Sequence, residues 1–413
     1  MAMGNIGAAH EVLHDIVSAL SWYGRALGEI EATPGMIFAD NLSSQSSRMH
    51  LMVHIVRAKL SACVWANAED EFDSLWLLAT SLQAVYAFTP FDSLLHAIPP
   101  MDRKTLAIHF STKYEAVAKN RGNFEALLQP PKEINTTKLN IGYLSYDFSD
   151  HPTAHLVEGL FATRDQNSTN VVAFGYGRDD NSAFRQRIVE SVDKFIDLSA
   201  LSYEESAAQI RDANIHIIMD AQGHTRRGRM QIAAARPAPI MVNYLVFPGT
   251  SGAPFMDYVI VDKYVVPPAE LASAFSEKLV VMPNSYQVNY YKDLLVTPET
   301  IYRRADLWRT EQNDVKTDEQ NGFVFVNFNK IDKLKASVFS TWMSIMQRVP
   351  RSSLLLLDPA RNRSDDNTVG SVTSREVKKN LWAEAEAQGI SSQRIRFVYS
   401  YDEMLKRLAL ALL

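Results

Sequence analysis

The chain has almost no cysteine. With Cys63 alone among 413 residues, neither an intramolecular disulfide nor a cysteine-based zinc cluster can form within it. It also lacks any stretch of about 18 apolar residues, so no membrane span is expected. The opening Met1-Ala2-Met3-Gly4 lacks the basic region and apolar core of a secretory signal. Ala2 in place of a second-position glycine gives no indication of myristoylation. A basic surplus is absent too. The 42 Lys and Arg against 47 Asp and Glu leave a formal net charge of -5, which argues against a general nucleic-acid binder, since phosphate backbones ask for a basic surface. The sequons at Asn135 and Asn167 matter only in a secreted protein. A cytoplasmic or nuclear protein is the expectation, and nothing in the sequence specifies an oligomeric state.

What the chain does have is apolar material in two different rhythms. Hydrophobic residues make up 46% of it, enough for two or three domains with cores of their own. Residues 10–120 read as helical, with Leu51, Val53, Val56, Leu60 and Val64 at helical spacing. The run Tyr23, Ala26, Leu27, Pro34, Phe38, Ala39, Leu42 looks like one tetratricopeptide helix and the start of the next repeat, or like an ordinary amphipathic helical pair. A single repeat cannot bury its apolar face alone.

From Leu139 short apolar runs alternate with helical stretches. Strands are expected at 139–145, 170–175, 215–220, 240–245 and 258–262, which argues for a parallel sheet covered by helices. Residues 285–320 read as a polar connector with one short helical piece near 299–308. A second series follows: strand 322–328, helix 335–348, strand 354–358, helix 373–388, strand 395–399 and helix 402–412. Two doubly wound halves place a ligand near the C-terminal ends of the strands. The second half has three strands where such a lobe needs about five or six, and it closes on an apolar helix, so the sequence is expected to be incomplete.

Three clusters could carry chemistry. Asp150-His151-Pro152-Thr153-Ala154-His155 follows the first strand. A His at such a turn can exchange protons near neutral pH, or it is a simple polar contact. His151 and His155 are four apart, a spacing that also suits a metal, but no acidic residue sits between them in the zincin position. Asp220-Ala221-Gln222-Gly223-His224-Thr225 ends another strand. Its Gly admits a ligand to the backbone, or the stretch is a plain strand-end turn. Pro248-Gly249-Thr250-Ser251-Gly252 is a stiff turn with exposed amides and two hydroxyls that could hold an oxygen-rich ligand or a peptide backbone.

Taken together these stretches say more. The order HPTAH, GHT, RPAPI, PGTSG, MDY, then FSEK, Met282-Pro283, Asn327-Phe328-Asn329, Lys333 and Arg348-Val349-Pro350 resembles the catalytic region of the O-linked N-acetylglucosamine transferase family, over roughly 60–400. RPAP and GHT are shared with protein O-fucosyltransferases, whereas HPTAH and PGTSG are similar to the N-acetylglucosamine branch. The resemblance implies an α/β fold of the two-lobed GT-B type, two Rossmann-like domains with the second incomplete, behind an α-helical segment with a tetratricopeptide-repeat remnant. The expected division is 1–50 repeat remnant, 51–135 helical lead-in, 136–285 N-terminal lobe, 286–320 connector and 321–413 partial C-terminal lobe.

The resemblance also implies transfer of N-acetylglucosamine from UDP-N-acetylglucosamine to Ser or Thr of intracellular proteins. Inversion is expected, with no metal and no further cofactor. His151 matches the histidine proposed as catalytic base. His155, Gln222, His224, Thr225, Pro248, Gly249 and Thr250 match the substrate-lining stretches. Lys333, with Asn329 and Lys330, matches the donor-diphosphate side, where a cation offsets charge on the leaving group. Lys330 stands where much of the family has Gln. The family's second lobe runs on into a Gly-His-Thr-Thr turn and a ribose-binding Asp, neither of which occurs before Leu413, so weak UDP binding is expected. The alternative expectation is a truncated, inactive homologue that only binds protein.

Overall fold

The computed structural model describes residues 2–12, 15–32, 44–81, 87–96, 98–120, 137–266, 272–290, 323–327, 329–358 and 369–398. Their contacts divide the chain into two compact units, residues 88–296 and residues 1–87 with 297–413.

The second of these begins with four helices, α1 (Ala2–Val12), α2 (Ile16–Ala32), α3 (Ser44–Ser61) and α4 (Ala68–Ser81). Tyr23 and Ala26 of the repeat-like run are buried, while Pro34, Phe38, Ala39 and Leu42 lie outside the described residues. The 88–296 unit opens with α5 (Pro90–Ser93) and α6 (Pro100–Asn120). The boundary thus falls inside 51–135, the stretch read from sequence as one helical lead-in. The reason is packing. Ala107 of α6 lies against Gly252, and Ser111 donates to the Ser251 carbonyl at 2.6 Å, so this helix belongs to the sheet that follows it.

That sheet has seven strands: β1 (Leu139–Ser145), β2 (Thr169–Gly175), β3 (Lys194–Asp197), β4 (Ile217–Asp220), β5 (Ile240–Asn243), β6 (Tyr258–Asp262) and β7 (Lys278–Met282). Every pairing is parallel, in the order β3-β2-β1-β4-β5-β6-β7. The helices α7 (Pro152–Ala162), α8 (Ala183–Ser191), α9 (Tyr203–Asp212) and α10 (Met230–Ala234) connect the strands from β1 to β5. Five of the seven strands stand where the apolar runs predicted them. The exceptions, β3 and β7, are the edge strands. Edge strands need bury only part of their surface, and Val280, Val281 and Met282 of β7 are exposed. The chain winds outward from β1 to β3, then returns to β4 on the other side of β1. The loops after β1 and β4 therefore diverge at a topological switch point, where parallel sheets hold their ligands.

In the other unit, β8 (Phe323–Asn327), β9 (Ser352–Leu357) and β10 (Ile395–Val398) form a three-stranded parallel sheet ordered β10-β9-β8. It packs with α11 (Ala336–Arg348) and α12 (Val369–Ala387). Cys63 and Trp65 join the same core, Trp65 lying 5.4 Å from Phe339 ring to ring. The strands and helices predicted here match, save for small shifts of their ends. The predicted helices at 299–308 and 402–412 lie outside the described residues.

Candidate active site

The loop after β1 is built to present His151. Pro152 is the first residue of α7, its fixed φ suited to that position. His151 is the N-cap, its Nδ1 accepting from the Thr153 amide at 3.2 Å. Arg185 anchors the loop from below. It is buried, donates to the Phe148 carbonyl at 3.2 Å and pairs with Asp179 and Asp197. The His151 side chain stays 44% exposed, and its Nδ1 lies 3.5 Å from Asp147 Oδ2.

The loop after β4 is bolted to it by Gln222. This side chain is buried, and its whole amide is used inside the protein. Oε1 accepts from Ser145 Oγ and the Tyr146 amide, both at 3.2 Å. Nε2 donates to Asp147 Oδ2 at 3.1 Å, to Thr225 Oγ1 at 2.8 Å and to the Arg226 carbonyl at 3.3 Å. A continuous polar path therefore runs from His151 through Asp147 and Gln222 to Thr225. The turns after β1 and β4 are thus held together, and Gln222 joins them through its amide. Sequence reasoning missed Asp147. It lies between β1 and His151, but nothing local shows that its carboxylate is the meeting point.

The His151 tautomer decides its chemistry. With Nδ1 accepting the Thr153 amide, the neutral ring carries its proton on Nε2 and can only donate there. With the proton on Nδ1, directed at Asp147 Oδ2 or at Thr153 Oγ1 3.1 Å away, Nε2 becomes a base.

His155 does not join this centre. Its ring stacks on Phe184 at 3.7 Å and its Nε2 meets Asp150 Oδ1 at 2.9 Å, so the two histidines of HPTAH serve different partners. Among the described residues no group of three or more His, Cys, Asp or Glu is gathered as a metal site.

His224 turns inward. It is buried between Tyr114 and Phe247, and its Nε2 donates to the Ser251 carbonyl at 2.7 Å. Burial lowers its pKa, partly opposed by the Ser251 carbonyl and by Glu277, so it is a neutral brace for the PGTSG loop. Glu277, from FSEK, holds the same loop. Buried, it accepts from Thr250 Oγ1 and the Ser251 amide, both at 2.7 Å. Gly223 has φ +55°, and a Cβ there would lie 2.8 Å from Phe247, so this turn needs glycine. Leu245, at φ 104°, is a strained bulky residue entering the same loop, a feature that clusters at functional sites. Pro248, Gly249 and Thr250 line a cavity of about 260 Å³ with Phe247 and Arg103. Burial lowers the Arg103 pKa.

RPAPI and MDY prove structural. Arg236 grips Asp257 through both guanidinium nitrogens at 3.0–3.2 Å, and Asp257 accepts the Met241 amide at 2.9 Å. In the other unit Asn329, Lys330 and Lys333 are exposed around the 3-10 turn Ile331–Lys333 that follows β8.

Asp220 closes β4. Its Oδ1 accepts the Gln222 amide at 3.1 Å and the Gly223 amide at 3.3 Å. Burial nevertheless pushes its carboxyl up to about 6, against the pull of those amides. Its folded pKa lies above the unfolded value, so its contribution to stability is complete below about pH 4 and is lost as pH rises through 6. Asp220→Asn keeps the acceptor and removes the charge. The variant is expected to gain up to roughly 3 kcal/mol at pH 7 to 8, a shift of about two units at 1.36 kcal/mol each. Urea unfolding at pH 4, 6 and 8 checks this; an unchanged pH dependence contradicts it.

A parallel α/β unit with its polar centre at the switch point, accompanied by a second parallel α/β unit, is the architecture of GT-B glycosyltransferases. A point mutant of the Thermobaculum terrenum O-GlcNAc transferase shares this fold with a TM-score of 0.66 at 20% identity, over 97% of this chain and 67% of that one. The family model described as Glycosyl transferase family 41 matches residues 80–319, and the chain belongs to that family. It is 32% identical over 309 residues to the probable UDP-N-acetylglucosamine–peptide N-acetylglucosaminyltransferase SEC of Arabidopsis thaliana, covering 71% of this chain and 30% of that protein. It is 34% identical over 205 residues to the UDP-N-acetylglucosamine–peptide N-acetylglucosaminyltransferase of Caenorhabditis elegans, covering 49% and 17%. The chain thus spans under a third of the length of these two relatives.

Proposed function

We propose that the chain serves transfer of N-acetylglucosamine from UDP-N-acetylglucosamine to Ser or Thr hydroxyls of proteins, with inversion and without a metal. The observation that carries this reading is the His151–Asp147–Gln222–Thr225 centre, set at the switch point of a family 41 chain. The acceptor oxygen attacks the anomeric carbon, the bond from that carbon to the diphosphate breaks, and UDP leaves. His151 Nε2 takes the hydroxyl proton, with Nδ1–H held by Asp147, the base-and-orienter arrangement of general base catalysis. Thr225 lies beside this centre and contacts the sugar or the acceptor. Lys333, exposed after β8, meets the donor diphosphate, where a cation offsets developing charge; Lys330 and Asn329 lie beside it. The names of the relatives point to the same donor and to peptide acceptors.

Incubating the chain with UDP-N-acetylglucosamine and a Ser/Thr-rich acceptor protein, then mapping the product by mass spectrometry, tests the reading. N-acetylhexosamine on Ser or Thr, and release of UDP without added metal, is the expected result. Release of UDP with sugar transferred only to water contradicts it.

A further inference from the structure

Beside the candidate centre lies a second, differently built cavity of about 310 Å³. Tyr146, Tyr176, Tyr203, Ser199, Arg227 and Arg229 are among its lining residues, and no carboxylate lines it. The strand ends that carry the centre also build this cavity. Tyr146 follows β1, Tyr176 follows β2, Ser199 lies between β3 and α9, and the arginines follow β4.

Its two guanidinium groups are arranged in different ways. Arg229 is a fixed wall. It donates to the Leu198 carbonyl at 3.1 Å and to the Leu201 carbonyl at 2.6 Å. Its Cζ lies 5.5 Å from the Tyr176 ring centroid and 4.9 Å from that of Tyr203. Arg227 is the available cation. It lies over Tyr146 at 4.9 Å and donates Nη1 to the Tyr146 hydroxyl at 2.9 Å. Among the described residues, no carboxylate pairs with Arg226, Arg227 or Arg229 within 4.0 Å. Arg227 also adopts φ 69°, a left-handed backbone that costs a long side chain about 1 kcal/mol or more and is met at ligand-binding positions. The amides at the start of α9 are not the attraction, since Ser202 and Glu205 already cap them.

We infer that this cavity is an acceptor subsite for a carboxylate: Arg227, stacked on Tyr146, receives an Asp or Glu side chain of the polypeptide whose Ser or Thr lies at His151. The inference rests on the transfer reading for the identity of the acceptor. A planar guanidinium is matched to a carboxylate, and the neighbouring rings keep it from folding away into solvent. The subsite is joined directly to the centre. The Tyr146 amide donates to Gln222 Oε1 at 3.2 Å, and the Arg226 carbonyl accepts from Gln222 Nε2 at 3.3 Å. An extended peptide advances about 3.3–3.6 Å per residue, so the acidic residue stands within a few positions of the modified hydroxyl.

The test uses the full chain and fluorescein-labelled peptides with one Ser. Each carries Glu, Gln or phosphoserine at one position two to five residues from that Ser. Binding is measured by anisotropy without donor, and transfer is measured separately. The Glu peptide is expected to bind about 3- to 10-fold tighter than the Gln peptide at low salt, as an exposed charge-assisted contact allows. Arg227→Gln should erase that difference and leave transfer to the Gln peptide unchanged, while Arg227→Lys restores part of it. Equal binding of the Glu and Gln peptides, or a preference surviving in Arg227→Gln, overturns the subsite. Tight binding of the phosphoserine peptide alone overturns the carboxylate assignment. Arg227-dependent binding with no transfer to any peptide upholds the subsite and refutes the transfer reading instead.

Discussion

His151→Ala is expected to lower the transfer rate by about 10²-fold or more, the usual loss when a general base is removed. The loss should fall on kcat rather than on KM, since the proton moves only in the transition state. Asp147→Asn provides the sharper comparison. The buried Asp147 carboxylate accepts from Gln222 and lies 3.5 Å from His151 Nδ1. An amide in its place can still meet Gln222, but it no longer favours a proton on Nδ1. The His151 ring then keeps the tautomer that caps α7 and cannot act as a base at Nε2. Asp147→Asn should therefore reproduce much of the His151→Ala loss. Steady-state kinetics of the two variants measure both effects. Near-normal turnover in His151→Ala excludes it as an essential base and leaves it a contact residue.

A large effect on stability is expected at Gly252. Its φ is +63°, and a Cβ would lie 2.3 Å from the Ile108 amide nitrogen and 2.4 Å from the Ala107 carbonyl carbon. Both neighbours are backbone of α6, which cannot yield as a side chain end can. Gly252→Ala combines left-handed strain with overpacking, about 1 kcal/mol for the first and 1–3 kcal/mol or more for the second. The PGTSG loop would be pushed off α6, and the His224 and Glu277 bonds to Ser251 would go with it. Gly24→Ala is the control. Gly24 lies in α2 with open space around its Cβ position, so Ala there should stabilise by about 0.5–1 kcal/mol. Thermal unfolding of both variants decides the matter. A Gly252→Ala protein as stable as the parent contradicts the account of this loop.

How legible the molecule is in its sequence depends on the kind of signal. The central strands β1, β2, β4, β5 and β6 announce themselves because parallel strands buried on both faces need near-continuous apolar runs. The edge strands β3 and β7 do not, since half of such a strand can face solvent. Turn residues are legible by type, since Pro152 suits the first turn of a helix and Gly223 a strand-end turn, though its positive φ emerges only in the structure. Long-range partners were not. Asp147, Glu277 and Ser111 become functional or structural centres only through residues 75, 26 and 140 positions away, and no local pattern encodes such pairs. Motif resemblance assigned Gln222 and His224 to the substrate-lining stretches, and gave Arg236 and Asp257, within RPAPI and MDY, no role of their own. Gln222 and His224 are buried and bonded within the protein, and Arg236 and Asp257 are bound to each other, which gives these four a supporting part, while His151 and Thr225 lie at the more exposed end of the path.

The turns after β1 and β4 are expected to act as one unit in the transfer step. A double-mutant cycle on kcat/KM with His151→Ala, Gln222→Ala and the double variant measures their coupling. If Gln222 works by holding Asp147 behind His151, the double variant should be no slower than His151→Ala alone, because groups acting as a unit are lost together. Two losses that multiply independently would contradict the account.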